Sequence, residues 1–283
     1  SREIQEPEPY IINIIEGQSI WGSNYPATVR FPEISGGFTA LHFAAQQGDI
    51  ESVQILIKSG ADINSPHPEH GSPLVIAIAS GHEELGMYLL ENGADPNIRD
   101  AWGISPLHYA LHRGVLILNS FKKPSSNGDA WVPRDMPRLV EALLDHGADP
   151  NAQIEYSFPF LDHMLTAIGD DLPPQIDPVG ATPLLVAAVS GNVEAMNLLE
   201  EVSDVNARTI GGATLFMLAS GAGAERGVRN QKEALEAAKL ALSLGGGSVN
   251  DVLTELAPDG PAKGVADGRT ALHFAVTVGW TDM

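Results

Sequence analysis

The sequence has no cysteine, few aromatic residues and few basic residues, and these shortages exclude several classes of protein. With 0 cysteines in 283 residues, it can hold no disulfide framework, no thiol nucleophile and no thiolate zinc site. Its 16 lysines and arginines face 36 acidic residues, which gives a net charge of −20. Such a surface repels phosphate backbones and anionic lipid, so we expect no nucleic-acid binding and no membrane insertion. A basic protein partner is easier to accommodate.

Long hydrophobic runs are also missing. The longest apolar stretches, such as residues 115–118, are far too short to span a bilayer. The absence of cysteine is typical of oxidising or exported settings, where a free thiol is a liability. We therefore expect a periplasmic or extracellular location, with the cytoplasm as the alternative.

A pattern of about ten residues recurs along the chain at a fixed step. It opens at Thr39 and returns at Ser72 and at Ser105, a step of 33 residues each time. A second element, Gly-Ala-Asp-x-Asn, closes each copy at residues 60–64, 93–97 and 147–151. A fixed period of this size predicts a repeat protein, whose units bury their apolar faces only by stacking on one another.

Each part of the copy has a physical role. Thr39 is suited to cap a first helix, because its side chain accepts a hydrogen bond from an otherwise unpaired backbone N–H. Small residues such as Ala44 and Ala45 allow two helices to approach closely. Gly48 is suited to end the first helix in the left-handed conformation. The apolar residues that follow have helical spacing, which predicts a second helix with one buried face.

This pattern resembles the ankyrin repeat. The resemblance is carried by residues 39–42, 105–108, 182–184 and 270–273, which read Thr-Ala-Leu-His, Ser-Pro-Leu-His, Thr-Pro-Leu and Thr-Ala-Leu-His. It implies an all-α ankyrin-repeat solenoid of about six helix-turn-helix units, with hairpin loops between them, an N-terminal extension and two to three long insertions. The long insertions and the lack of cysteine resemble bacterial ankyrin-repeat proteins, some of which are exported.

The expected domains are an N-terminal extension at residues 1–35 and a repeat domain at residues 36–283. Insertions are expected at residues 115–137 and 152–179, and they either pack on the solenoid or form a contact surface. Because the sixth unit stops after its first helix, we expect the natural chain to continue or a neighbouring subunit to cover that end. The units are expected at residues 37–70, 71–102, 103–151, 180–211, 212–250 and 267–283.

Histidines are the main candidates for chemistry, and the repeat accounts for most of them. His42, His108 and His273 follow the repeated leucine, where an imidazole links neighbouring units by hydrogen bonds. His67 and His70 lie near each other, but a third well-spaced metal ligand is missing. We therefore predict no catalytic residue, no metal and no cofactor.

The resemblance implies that a partner binds the concave face, which is formed by the exposed flanks of the first helices and by the hairpin tips. Core filling remains an alternative for Tyr109. We predict a non-catalytic protein–protein interaction scaffold, or else a structural subunit of a homo-oligomer or fibre joined through the solenoid ends, or the recognition half of a larger enzyme. The hairpin tips add Ser65, His67, Glu69, Asp100, Arg208 and Thr209 to the surface. The predicted partner-binding residues are Phe43, Gln46, Gln47, Ile76, Arg99, Trp102, Tyr109, His112, Arg113, Trp131, Tyr156, Phe158 and Phe160.

Overall fold

The computed structural model describes residues 37–111, 136–155, 178–222, 231–254 and 268–279. These ranges contain eleven helices and no strand; the β-type pairing assigned within them is an isolated antiparallel bridge between His67 and Gly71. None of the described helices is long and apolar enough to cross a membrane. The helices are α1 (Ala40–Gln47), α2 (Ile50–Lys58), α3 (Pro73–Ala79), α4 (Glu83–Glu91), α5 (Pro106–Ala110), α6 (Pro137–Asp145), α7 (Pro183–Ser190), α8 (Val193–Leu199), α9 (Leu215–Ala219), α10 (Gln231–Ser243) and α11 (Ala271–Val278).

The first helix of a unit begins directly after the residue that the sequence predicts as its cap. Thr39 accepts a hydrogen bond from the backbone N–H of His42, and the His42 ring accepts one back from the Thr39 N–H at 3.0 Å. Gly48 ends α1 with φ 73°, and an added Cβ there would lie 2.5 Å from Nδ1 of His82. Both the left-handed backbone and the close imidazole therefore require glycine at this position.

The helices stack as two rows. In the first row α1 contacts α3, α3 contacts α5, and the series continues through α7 and α9 to α11. In the second row α4 contacts α6, α6 contacts α8, and α8 contacts α10. Units 1 to 5 are thus the pairs α1–α2, α3–α4, α5–α6, α7–α8 and α9–α10, and α11 begins unit 6. The expected all-α solenoid is confirmed.

Asparagines of the closing element join successive units. The side chain of Asn97 donates to the carbonyl of Gly147 at 2.9 Å and accepts from the backbone N–H of Asp149 at 2.8 Å. Asn64 and Asn151 make the same pair of bonds to units 2 and 4. We call this series the asparagine ladder. Each amide side chain of the ladder thus pairs with one N–H donor and one carbonyl acceptor of the neighbouring unit's backbone.

The ladder is interrupted between units 4 and 5. Asn206 occupies the next ladder position, but its side chain makes no such bond to unit 5 within the described residues. The closing loop of unit 5, residues 245–250, is one residue longer than the loop at residues 60–64. A cleft of about 300 Å³, lined in part by Asn206 and Arg208, opens at this place.

Candidate functional site

A groove of about 450 Å³ lies between the first helices of units 1 and 2. It lies where the C-terminal end of α1 meets α3, so two adjacent units build it together. Its lining mixes apolar side chains with amide and imidazole groups. The lining residues are Phe38, Gln46, Gln47, His70, Val75, Ile76, Ala79, Ser80 and His82.

Three of the predicted partner-binding residues meet in this groove. Gln46 and Gln47 are exposed at the end of α1, and Ile76 lies opposite them on α3. Ile76 is only 6% exposed, so a partner in the groove could contact only a small part of its side chain. His82 closes the groove, and its Nε2 lies 3.0 Å from the carbonyl of Gln46. The sequence predicted the two glutamines but missed Phe38 and His82, because their approach depends on how the units stack.

Phe43 is exposed for a different reason. Its side chain is 55% exposed, whereas the residues at the same position of later units, Ile76 and Tyr109 among them, are buried. Those units have a preceding unit, whereas α1 is the first described helix. Phe43 therefore marks the edge of the described stack, and it contacts Phe38 at 5.1 Å between ring centroids. The exposure of Phe43 is therefore not evidence that a partner binds the concave face at this residue.

The prediction that Tyr109 lies on the contact surface is wrong, because its side chain is fully buried. Its hydroxyl donates to Oδ2 of Asp100 at 2.6 Å. Oδ1 of Asp100 accepts from the backbone N–H groups of Trp102 and Ile104 at 3.0 and 2.9 Å. Burial raises the pKa of Asp100 to about 6, against the opposing effect of these bonds, and burial raises the pKa of Tyr109 well above 10. The pair holds the second hairpin in shape.

Other predicted tip residues are buried too. His67, Asp100 and Thr209 are 4%, 7% and 5% exposed, because each accepts hydrogen bonds from its own hairpin backbone. They are therefore not available as surface contacts. The remaining tip residues Ser65, Glu69 and Arg208 are partly or fully exposed.

Arg99 and Trp102 lie at the hairpin tips, and neither lines the groove. The guanidinium of Arg99 contacts Glu155 at 3.2 Å and Asp149 at 3.9 Å. The half-buried Trp102 packs against the core, and its carbonyl accepts from the backbone N–H of Glu155 at 2.9 Å. Both residues thus connect successive hairpins. The predicted residues His112, Arg113, Trp131, Tyr156, Phe158 and Phe160 lie outside the described residues.

The predicted role of the repeat histidines as links between neighbouring units is confirmed for His108. Nε2 of His108 donates to the carbonyl of Ala181 in unit 4 at 3.2 Å, across an insertion. Complete burial lowers the pKa of His108 to about 4, so the ring is neutral near pH 7. His42 donates instead to the carbonyl of Ser65 at 3.0 Å, in the hairpin loop of its own unit. In the described ranges, no group of three or more histidine, aspartate or glutamate side chains is placed to hold a metal ion.

Comparison with known proteins identifies the repeat. Residues 41–123 match the family described as Ankyrin repeats (3 copies). The chain is 28% identical over 200 residues, 69% of its length, to the probable E3 ubiquitin-protein ligase XBOS32 of Oryza sativa subsp. japonica, of which it covers 37%. It is 39% identical over 80 residues, 28% of its length, to the ADP-ribosylation factor GTPase-activating protein AGD2 of Arabidopsis thaliana, of which it covers 10%. Over 83 residues, 29% of its length, it is 40% identical to the B-cell lymphoma 3 protein homolog of Mus musculus, of which it covers 18%.

The chain thus spans about a tenth to two fifths of the length of these curated relatives. The three relatives come from plants and from mouse, so they give no support to the bacterial type that the sequence suggested. The matched repeats at residues 41–123 indicate a protein–protein interaction domain. The chain therefore contains ankyrin repeats, and its described helices form an all-α ankyrin-repeat solenoid.

Proposed function

We propose that the chain is a non-catalytic interaction module that binds a protein partner in the groove between α1 and α3. The observation that carries this proposal is the groove itself, in which exposed Gln46 and Gln47 border apolar side chains. Amides can pair with a partner's backbone, and the apolar lining gives a hydrophobic contact once water leaves. Because the chain carries a net charge of −20, a basic partner approaches most easily.

The strongly shifted ionisable groups support a binding role rather than catalysis. Burial raises the pKa of Asp100 to about 6 and lowers the pKa of His108 to about 4. Shifted groups of this kind often mark active sites. Here both are buried and hydrogen-bonded to backbone groups of the solenoid, so substrate could not reach them. Their shifts follow from packing.

A photo-crosslinking residue at position 46 tests the groove directly. We expect it to capture the partner, whereas the same residue at position 55 should not, because Ile55 is 65% exposed on α2 and does not line the groove. A second variant, Ala79→Trp, fills the groove and should reduce binding while leaving the helical circular dichroism unchanged. Equal capture at both positions would disprove the proposed surface.

Arg99 and Trp102 would extend the surface along the hairpin tips, together with the six predicted residues outside the described ranges. Single alanine variants of those six would show which insertion takes part. The expected bacterial origin and exported location are also proposals, with the cytoplasm as the alternative. Fractionation of source cells followed by immunodetection would decide the location.

A second candidate function is self-association through the solenoid ends. Leu272 of α11 is 62% exposed, although the same repeat position is 0% to 1% exposed at Leu41, Leu74 and Leu107. Phe43 is exposed in the first unit, so an apolar side chain is available in the first and in the last described unit. Light scattering tests this candidate: a monomer at about 100 μM would exclude it, and Leu272→Asp should dissolve any oligomer.

A third candidate is that the module serves as the recognition part of a larger enzyme. It is favoured because two relatives that share the repeat are named as a ubiquitin ligase and a GTPase-activating protein, and the chain covers only part of each. The mass of the native protein, measured from its source, tests it. A mass of 30.0 kDa, that of the present sequence, would exclude it.

A further inference from the structure

The cleft of about 300 Å³ between units 4 and 5 lies where the asparagine ladder is interrupted. Asn206 and Arg208 of unit 4 line it together with Asp251 and the loop of residues 245–248 of unit 5, and we call it the ladder cleft. At the three earlier junctions the ladder asparagine bonds to the closing loop of the next unit. Within the described residues the exposed Asn206 side chain makes no such bond, so its amide is open to a ligand.

An extra glycine in the closing loop of unit 5 accounts for the interruption. Gly246 is equivalent to Ala94 of unit 2, because the N–H of each donates to the carbonyl five residues earlier at 2.9 Å. Ser248 is equivalent to Asp95, because a side-chain oxygen of each accepts from the N–H two residues later. Gly247 is therefore the residue by which this loop exceeds the others.

The backbone groups of this loop are committed inside unit 5. The N–H of Ser248, which the ladder would direct to Asn206, donates to Oδ2 of Asp251 at 2.8 Å. The carbonyl of Gly246 accepts from the backbone N–H of Phe216 at 2.9 Å. The loop cannot turn toward unit 4 without breaking these bonds, so the ladder cleft stays open.

The junction between units 2 and 3 shows which chemistry fits beside a ladder asparagine. Asn97 takes the carbonyl of Gly147 and the N–H of Asp149, and Arg99 contacts the carboxylate of Asp149 at 3.9 Å. Gly147 has φ 85°, a conformation that favours glycine. A Gly-Ala-Asp turn thus offers a carbonyl, an N–H and a carboxylate to the pattern Asn-x-Arg. The ladder cleft carries the same pattern at residues 206–208.

Arg208 has room for a further carboxylate. Within the described residues it contacts Asp251 at 3.6 Å, and its side chain is 51% exposed. Arg99 contacts two carboxylates, those of Glu155 at 3.2 Å and of Asp149 at 3.9 Å. A guanidinium has five N–H donors, so it can bind a second carboxylate while it keeps the first. The arrangement at Arg99 shows that one bound acidic group does not prevent this.

We propose that the ladder cleft binds a turn of a partner protein with the sequence Gly-x-Asp. The side-chain NH₂ of Asn206 donates to the carbonyl of the partner's glycine, and its oxygen accepts from the N–H of the partner's aspartate. Arg208 binds the aspartate carboxylate. A volume of about 300 Å³ is at the lower end of the ~300–1,000 Å³ of ligand sites, which suits a few residues of a turn. The site is separate from the groove between α1 and α3.

Titration of the isotope-labelled chain with a blocked peptide tests the ladder cleft by NMR. The probe is acetyl-Gly-Ala-Asp-Pro-Asn-amide, which has the sequence of residues 93–97 and 147–151. We expect the side-chain NH₂ signal of Asn206 to shift saturably, with a Kd on the order of 1 mM. The signal of Asn97 is the internal reference and should stay, because its amide is already bonded. No saturable shift of Asn206 up to about 10 mM, or an equal shift of Asn97, would overturn the proposal.

The variant Asn206→Asp keeps the shape and the acceptor of the side chain but loses its NH₂ donor. Binding, followed by the backbone signals of residues 206–208, should weaken at least about tenfold, because the new oxygen repels the peptide carbonyl. The fold should be unaffected, because Asn206 makes no bond to unit 5 in the described structure. Unchanged affinity in this variant would overturn the site.

Two altered peptides test the remaining contacts. N-methylation of the peptide's aspartate removes the N–H that Asn206 accepts, so affinity should fall at least about threefold. Replacing that aspartate by alanine should weaken binding to the wild type but not to Arg208→Gln, which has no cation for the carboxylate. Equal binding of the methylated and unmethylated peptides would contradict the bond to Asn206. An equal loss with alanine in both proteins would contradict the role of Arg208.

Discussion

Replacing Asn97 by alanine tests whether the asparagine ladder holds the solenoid together. The substitution removes two hydrogen bonds, one to the Gly147 carbonyl and one from the Asp149 N–H, at 2.9 and 2.8 Å. A hydrogen bond contributes a net ~0.5–1.5 kcal/mol, and an exposed pair can be replaced in part by water. We therefore expect the free energy of unfolding to fall by about 1–2 kcal/mol.

Asn206→Ala is the control, because Asn206 occupies the same repeat position without bonding to the next unit. Its effect should stay within about 0.5 kcal/mol, as for an ordinary surface substitution. Urea unfolding followed by circular dichroism measures both variants, with the slope checked because repeat arrays can unfold in parts. Equal losses for the two variants would refute the ladder as the source of stability.

Three further predictions concern buried ionisable groups and one glycine. The pKa of His108 is lowered to about 4, so the stability that its neutral form contributes is complete above about pH 6.5 and is lost as the pH falls through 4. Urea unfolding at pH 7.5 and 4.5 should show this loss in the free energy of unfolding. An equal loss in His108→Gln would contradict the assignment to His108. The pKa of Asp100 is raised to about 6, so its ionisation destabilises the fold as the pH rises from 3.8 through 6, by about 3 kcal/mol. Asp100→Asn should therefore gain stability relative to the wild type between pH 4.5 and 7.5, and a constant difference would oppose this reasoning. In thermal melts, Gly103→Ala should lower the melting temperature more than Gly147→Ala does. Both glycines have φ near +80°, but an added Cβ would lie 2.8 Å from the backbone nitrogen of Glu155 only at position 103. Equal melting temperatures for the two variants would argue against a steric cost.

The fold could be predicted from the sequence because its information is local and repeated. Capping residues such as Thr39 and Ser105, and left-handed glycines such as Gly48, lie within one turn of the helix end that they specify. Repetition at 33 residues then shows that the same local structure forms several times. The role of His108 as a link between units followed from the same repetition.

The candidate site was harder to predict, because it depends on contacts between units. The ladder asparagines are the last residue of the Gly-Ala-Asp-x-Asn element. The sequence of one unit does not show that their side chains bond to the backbone of the next unit. Tyr109 looks like a surface aromatic by its position in the repeat, yet Asp100 lies close enough to satisfy its hydroxyl inside the core. The groove needs Phe38, from before the first helix, and His82, from the start of the fourth, which no local pattern relates.

A repeat position therefore has no fixed exposure, and this limits what its sequence says about binding. The position of Phe43 is buried wherever a unit precedes it, and the position of Leu272 is buried wherever a unit follows it. The two exposed residues lie in the first and the last described units, so their exposure does not by itself mark a binding surface. Gln46 and Gln47 differ, because the stacking of units 1 and 2 leaves them exposed even though a neighbour is present. Exposure that persists after stacking is what distinguishes a binding surface from the edge of a stack, and it is the physical ground for placing the partner in the groove.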